Sequence, residues 1–471
     1  MSHNENTDLS VRTGSGRLQG FLDRGVPNWR GVPYGRVEER FRPARTAASD
    51  GDVDATRWGP VSWQVPLTLD FGTWTPLYPD FVESEDCLRL NIWAPPAKRA
   101  EPRPVLVWLH PGAHMFGSGN MQTYDPWVFA AHHDVVVVSG NCRLGPWGQL
   151  YLGGLDPQFG DSVNLALRDY LLMLEWVRDN IAEFGGDPES VTIFGASSGA
   201  SDVGTLLGVP AARGLFQRAV VYSGNAEQAV TPDEATALAE RFIAAAGSLA
   251  ATPTDLAKLS NVALRWIHKE MLKDGPVRYD PVVDGEILPR QPLESVGKGM
   301  AADVPLLVSV TADEARMFDL YSDHDVDDKY AELPGADLGA GHDEKVDALS
   351  KKYFIEPAQR LLAAANAGGG QCWAQVFNYQ LSTSPMVHLP ALAGRPAHAS
   401  DSAAIFYDRS SEAENDTDRA VGEAEQAAIT GLARNGNPGW ERYTAQKPDA
   451  KWIGPSDTAA LDFGPLPHSG A

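Results

Sequence analysis

Cysteine is nearly absent from this chain. Cys87, Cys142 and Cys372 are the three among 471 residues, and they lie far apart in no Cys-x-x-Cys or Cys/His cluster. That spacing argues against a disulfide framework and against a zinc site, and it fits reduced thiols in the cytosol. Basic residues are scarce as well. Lys and Arg total 39 against 62 Asp and Glu, for a net charge of −23, so a phosphate backbone or an anionic membrane is repelled and nucleic acid is no expected partner. Long hydrophobic runs are missing too, since no stretch reaches the roughly 20 apolar residues of a membrane span. The first residues, from Met1 to Asp8, are polar and acidic and lack the pattern of a secretory signal. The expected location is cytoplasmic, and neither metal nor organic cofactor is expected.

What is present is glycine in a telling place. An apolar run ending Val191-Thr192-Ile193-Phe194 leads into Gly195-Ala196-Ser197-Ser198-Gly199, a strand followed by G-x-S-x-G, the nucleophile-elbow pattern. The chain must turn sharply from strand to helix around a strained serine, and larger side chains at the two glycines would strike neighbouring backbone. Ser197 is the expected nucleophile, with the Ser198 amide pointing to where an oxyanion forms.

Pro104–His110 and Asp134–Ser139 are short, continuous apolar runs of the kind buried parallel strands show. Between them and the elbow, residues 161–184 carry an apolar pattern that predicts a long helix ending at Gly185-Gly186. Further strands are expected at 217–222, 304–310 and 373–379, and helices at 232–246 and 344–365. The alternation predicts an α/β chain with a mostly parallel sheet covered on both faces. Residues 99–103, 332–343 and 412–418 read as surface loops. The whole is expected to be one large domain over 1–471, with insertions near 226–300 and 316–372 and loose termini at 1–8 and 464–471.

The strand ending at His110 runs into Pro111-Gly112-Ala113-His114, where small residues let the Gly112 and Ala113 amides turn inward beside that of Ser198. In the chain order serine, acid, histidine, the acid follows a later core strand. Glu314 is the expected acid and Asp313 its neighbouring rival. His398 sits in a small-residue loop, Pro396-Ala397-His398-Ala399, and is preferred over His342, His388 and His468 as the base.

These residues and several longer motifs resemble the type B carboxylesterases, the family that includes acetylcholinesterase. Gly31–Gly35 with Arg40-Phe41 is similar to the family's GIPYA…RF segment, and Ser84–Asn91 to its SEDCLYLN signature. Residues 107–119 resemble VWIHGGGFxxGSG, Asn141–Gly145 resembles NYRLG, and 175–188 resembles EWVxxNIxxFGGDP. The likeness continues through Gly214–Ala219 with Ser223-Gly224 and the stretch 431–440 with Asn437-Pro438.

The resemblance implies an α/β-hydrolase fold with cap insertions, a Ser197-Glu314-His398 triad, an oxyanion hole of Gly112, Ala113 and Ser198, and a small-molecule ester substrate handled by a monomer or homodimer. Hydrolysis of carbamates or amides is the alternative within the family, and a catalytically silent scaffold the alternative outside enzymology. The resemblance also implies two buried ion pairs, Arg40 with Glu85 and Arg143 with Asp169. Departures from the pattern are Ala196 beside the nucleophile, Pro111 and Ala113 in the oxyanion loop, Ala315 after the acid, and His114 in place of an aromatic. His114 is open to two readings, a polar contact in the acyl pocket or a satisfied structural histidine. Trp58, Trp63 and Trp74 are expected near the site entrance, available to stack on an aromatic group.

Overall fold

A computed structural model gives the structure of residues 8–65, 81–97, 99–273, 277–320, 325–392, 394–409 and 415–455. Trp74 and the tail from 464 lie outside them.

Ten strands form the central sheet: β1 (Phe21–Asp23), β2 (Val26–Pro33), β3 (Arg89–Trp93), β4 (Arg103–Leu109), β5 (Val136–Gly140), β6 (Gly186–Ala196), β7 (Arg218–Tyr222), β8 (Leu306–Thr311), β9 (Cys372–Phe377) and β10 (Ala450–Ile453). Their order is β10-β9-β8-β7-β6-β4-β5-β3-β2-β1. Every pairing from β10 to β5 is parallel, and the remaining edge is antiparallel. The apolar runs in the sequence therefore mark the parallel part, where both faces are buried.

Period-2 geometry divides each strand between two cores. From β4, Val105, Val107 and Leu109 enter one core while Leu106 and Trp108 enter the other. The first core is closed by α1 (Leu165–Asn180), through Leu167, Tyr170 and Leu174, and by α2 (Ser198–Leu206), through Ala200 and Val203. On the other face, Ala428, Ile429 and Leu432 come from a helix near the C-terminal end of the described chain. The helix expected over 161–184 is α1 followed by a 3-10 turn, Ile181–Phe184, that Gly185 ends at φ 78.

The insertion after residue 226 has a core of its own. Helix α3 (Pro232–Ala246) starts where the sequence predicts because Thr231 and Glu234 form a capping box with Pro232 in the first turn. It packs through Phe242 against Leu264 and Ile267 of α4 (Asn261–Lys273) and against Phe41 and Trp147.

The helical stretch expected over 344–365 is present as α5 (His342–Ser350), a π turn (Lys351–Ile355) and α6 (Glu356–Ala367). Pro357 has no N–H to offer the Tyr353 carbonyl, so the ladder widens just before it. The loops assigned at 332–343 and 412–418 end earlier, because His342 opens α5, and Asp416 and Asp418 lie in the acidic first turn of the C-terminal helix Asp416–Asn435, capped by Asn415. Likewise Arg103, assigned to a loop, begins β4.

The two implied ion pairs are both present. Arg143 and Asp169 are buried and bidentate, at 2.8 and 2.7 Å. Arg40 and Glu85 are only half-buried, with Arg40 Nε 3.2 Å from both carboxylate oxygens. All three cysteines are buried and free. Among the described residues no helix is long and apolar enough to cross a membrane.

Candidate active site

Strand β6 delivers Ser197 to the turn before α2 with φ 53 and ψ −125, a conformation that is costly for a residue with a side chain. The turn closes only because its flanks are glycine. A Cβ on Gly195 would lie 2.6 Å from the Gly199 carbonyl carbon, and one on Gly199 2.2 Å from the Leu109 carbonyl oxygen. The Ser197 amide donates to the Tyr222 carbonyl at 2.9 Å, which ties the elbow to the end of β7.

Glu314 and His398 meet. Glu314 follows β8, is fully buried, and its Oε2 lies 2.7 Å from His398 Nδ1. Its Oε1 accepts from the Thr311 amide at 2.7 Å and from Ser223 Oγ at 2.5 Å. The main chains join as well, His398 N–H to the Glu314 carbonyl at 3.2 Å. Asp313, the rival acid, is instead held by Arg316 at 3.1 Å and by Arg395 at 3.4 Å. Of the other histidines, His342 pairs with Asp319 at 3.1 Å on the exposed end of α5. His388 is exposed, and His468 lies outside the described residues.

Burial by itself lowers the His398 pKa, but the charge of Glu314 and its hydrogen bond outweigh that, so the imidazole binds its proton more tightly than a free histidine. Neither Ser197 Oγ nor His398 Nε2 hydrogen-bonds another described residue.

The loop after β4 is bent in a way that bares its amides. Gly112 has φ 142, and a Cβ there would lie 1.8 Å from the Phe116 carbonyl oxygen; Ala113 and His114 follow at φ 52 and 58. Met115 and Phe116 donate back to the Gly112 carbonyl at 2.9 and 3.0 Å, and Gln64 Oε1 accepts the Gly117 amide at 2.8 Å. The amides of Gly112, Ala113 and Ser198 have no acceptor among the described residues. Pro111, which lacks an amide proton, stands outside this set.

Three neighbours of the Glu314 and His398 pair have contacts that the sequence does not assign to them. Ser223, at φ 53, supplies the second donor to Glu314. Phe354, in the π turn, packs against the His398 ring with centroids 4.9 Å apart and the planes tilted by 46°. Asp401 is fully buried, and burial followed by the Glu314 charge pushes its pKa up to about 7. Tryptophans 58 and 63 are half-buried, each with a guanidinium over its ring. The Arg30 guanidinium covers Trp58 at 4.0 Å, and Trp63 stacks on Trp147 with Arg265 over it at 4.6 Å. Among the described residues no cluster of His, Cys, Asp and Glu is arranged to hold a metal.

The carboxylesterase family profile matches residues 7–334. The para-nitrobenzyl esterase of Bacillus subtilis is 31% identical over 470 residues, covering 92% of this chain and 91% of that protein. A phenmedipham hydrolase of Pseudarthrobacter oxydans is 35% identical over 314 residues, 64% of this chain and 61% of its own. Among solved structures, a PNB esterase superposes with a TM-score of 0.81 at 29% identity, over 94% of this chain and 95% of its own. A carboxylesterase of Geobacillus stearothermophilus gives 0.80 at 32% identity, over 95% and 96%. With the sheet, the elbow and these likenesses together, the chain belongs to the carboxylesterase family, has the α/β-hydrolase fold, and is a carboxylic ester hydrolase.

Proposed function

We propose that the protein is a serine esterase in which Ser197 attacks the ester carbonyl while His398, oriented by Glu314, takes its proton. The Gly112, Ala113 and Ser198 amides receive the oxyanion. The tetrahedral adduct collapses as the histidine returns the proton to the departing alcohol, leaving an acyl-serine. Water, deprotonated by the same histidine, then releases the carboxylic acid. Protons and bonds balance among these side chains, the substrate and water, so the cycle calls for no cofactor. The observation that carries the reading is the 2.7 Å contact between Glu314 and His398, and the strained Ser197 turn, which tolerates only glycine at its flanks, supports it.

Hydrolysis of carbamates or amides by the same steps is the second reading. It draws on the likeness to an enzyme named for phenmedipham rather than for a nitrobenzyl ester. A cytoplasmic monomer or homodimer without a nucleic-acid partner completes the proposal, supported by the net charge of −23 and the free, buried cysteines.

The test is labelling with a fluorescent fluorophosphonate together with turnover of short p-nitrophenyl esters, carbamates and anilides. Wild type is expected to label and to hydrolyse esters fastest, and Ser197→Ala to lose labelling and at least about 1000-fold in kcat. Folded wild type that does neither contradicts the reading.

A further inference from the structure

The bend at Ala113 and His114 places two consecutive residues with side chains in the left-handed region, at φ 52 and 58. Such a pair persists only where the surroundings hold it. On the main-chain side, the His114 carbonyl accepts the Gly145 amide at 2.7 Å. On the side-chain side, His114 Nε2 lies 3.2 Å from Asp202 Oδ1, close enough for an ion pair although off hydrogen-bond alignment. Both side chains are more than nine-tenths buried.

Asp202 belongs to α2, four residues beyond Ser198. Residues at that spacing share a helix face, so Asp202 and Ser198 lie on the same side of the first turns. The contact therefore spans the gap between the loop that carries two bare amides and the helix that carries the third. Building on the active-site reading above, we propose that His114 and Asp202 form a clamp that fixes the Gly112 and Ala113 amides relative to Ser198. They are positioning residues, and neither needs to touch substrate.

The charges around the clamp agree with it. Burial lowers the His114 pKa, but Asp202, Asp280 and the Ser198 main chain more than offset this and raise it to about 9. Asp280 is paired with Arg278 at 3.0 Å, and His110, on the same loop as His114, is driven by burial towards its neutral form. At neutral pH the His114 side of the clamp is thus an imidazolium. An aromatic at position 114 would fill the space and leave Asp202 buried without a cation.

A misplaced oxyanion donor weakens binding of the transition state more than that of the substrate, so its cost falls on kcat. Asp202→Asn is expected to lower kcat by about 10- to 100-fold with KM within about 2-fold. Its alkaline limb should move from near pH 9 towards neutrality, because Asp202 is the main group holding the His114 proton. His114→Gln, a second route to the same loss, should show a similar fall in kcat and no such limb. The double variant should be no worse than the poorer single one. Circular dichroism establishes that each variant is folded, and fluorophosphonate capture separates two kinds of failure. If wild type captures nothing, the active-site reading falls and the clamp with it. If wild type is captured and folded Asp202→Asn keeps both its kcat and its alkaline limb, or the two substitutions are additive, the clamp alone is overturned.

Discussion

Ser223 Oγ donates to Glu314 Oε1 at 2.5 Å, on the carboxylate oxygen opposite the one that faces His398. Ser223 adjoins Tyr222, whose carbonyl accepts the Ser197 amide. One dipeptide at the end of β7 thus holds both the elbow and Glu314. Ser223→Ala leaves Glu314 Oε1 with only the Thr311 amide, and a lost bond to a buried carboxylate costs about 1.5–3 kcal/mol. The expected result is a lower melting temperature and a roughly 10-fold fall in kcat with little change in KM. A Ser223→Ala enzyme with unaltered kcat would show that the backbone alone orients Glu314.

Arg143 illustrates a residue whose importance is architectural. Its guanidinium reaches both oxygens of Asp169, and Nη1 donates to the Arg42 carbonyl at 2.6 Å. Removing it strands a fully buried carboxylate, at a cost of about 3–5 kcal/mol. Arg143→Ala should therefore reduce soluble yield and thermal stability before it alters chemistry. A soluble variant melting at the wild-type temperature contradicts this.

Glu425 is a buried carboxyl whose partners are Tyr222 Oη at 3.0 Å and Gln375 Nε2 at 2.7 Å. Burial first, and then the charge of Asp401, pushes its pKa from 4.5 up to about 8. In the unfolded chain the proton leaves near the ordinary value, while the folded chain keeps it until about 8. Between those limits the unfolded state binds fewer protons, so rising pH destabilises the fold, and above the window the loss is constant. Glu425→Gln removes this dependence. Relative to wild type, its melting temperature should rise progressively between pH 5 and pH 8. Melting curves for the two proteins that run parallel across that range would contradict it.

Much of this architecture is legible in the sequence because it rests on local requirements. Gly195 and Gly199 are dictated by clashes within a single turn, the parallel strands by uninterrupted apolar runs, and the start of α3 by Thr231, Pro232 and Glu234 within four residues. The misread stretches involve competition between local signals. His342 opens a helix inside a stretch whose Gly and Asp residues read as loop, and Asp416 and Asp418 read as solvated loop although Asn415 caps them. The roles of Asp202, Phe354, Asp401 and Glu425 were not legible at all. Each depends on a partner that tertiary folding brings from a distant segment, and nothing in the local pattern separates such a residue from an ordinary helical one.

The pH dependence of turnover gives the most direct check on the Glu314 and His398 pair. His398 can accept the Ser197 proton only when neutral, and Glu314 holds its pKa above the ordinary 6.5 against the effect of burial. Activity should therefore rise with pH through a midpoint above 6.5. Glu314→Gln keeps the shape of the acid but removes its charge, so burial dominates and the midpoint should fall below the wild-type value. Turnover should drop as well, by about 100- to 10,000-fold, because an amide neither stabilises the imidazolium nor fixes the correct tautomer. Profiles of kcat/KM for the two proteins, measured on one p-nitrophenyl ester, separate this account from a merely steric role. A Glu314→Gln enzyme that is slower but retains the wild-type midpoint would mean that the charge of Glu314 does not set the basicity of His398.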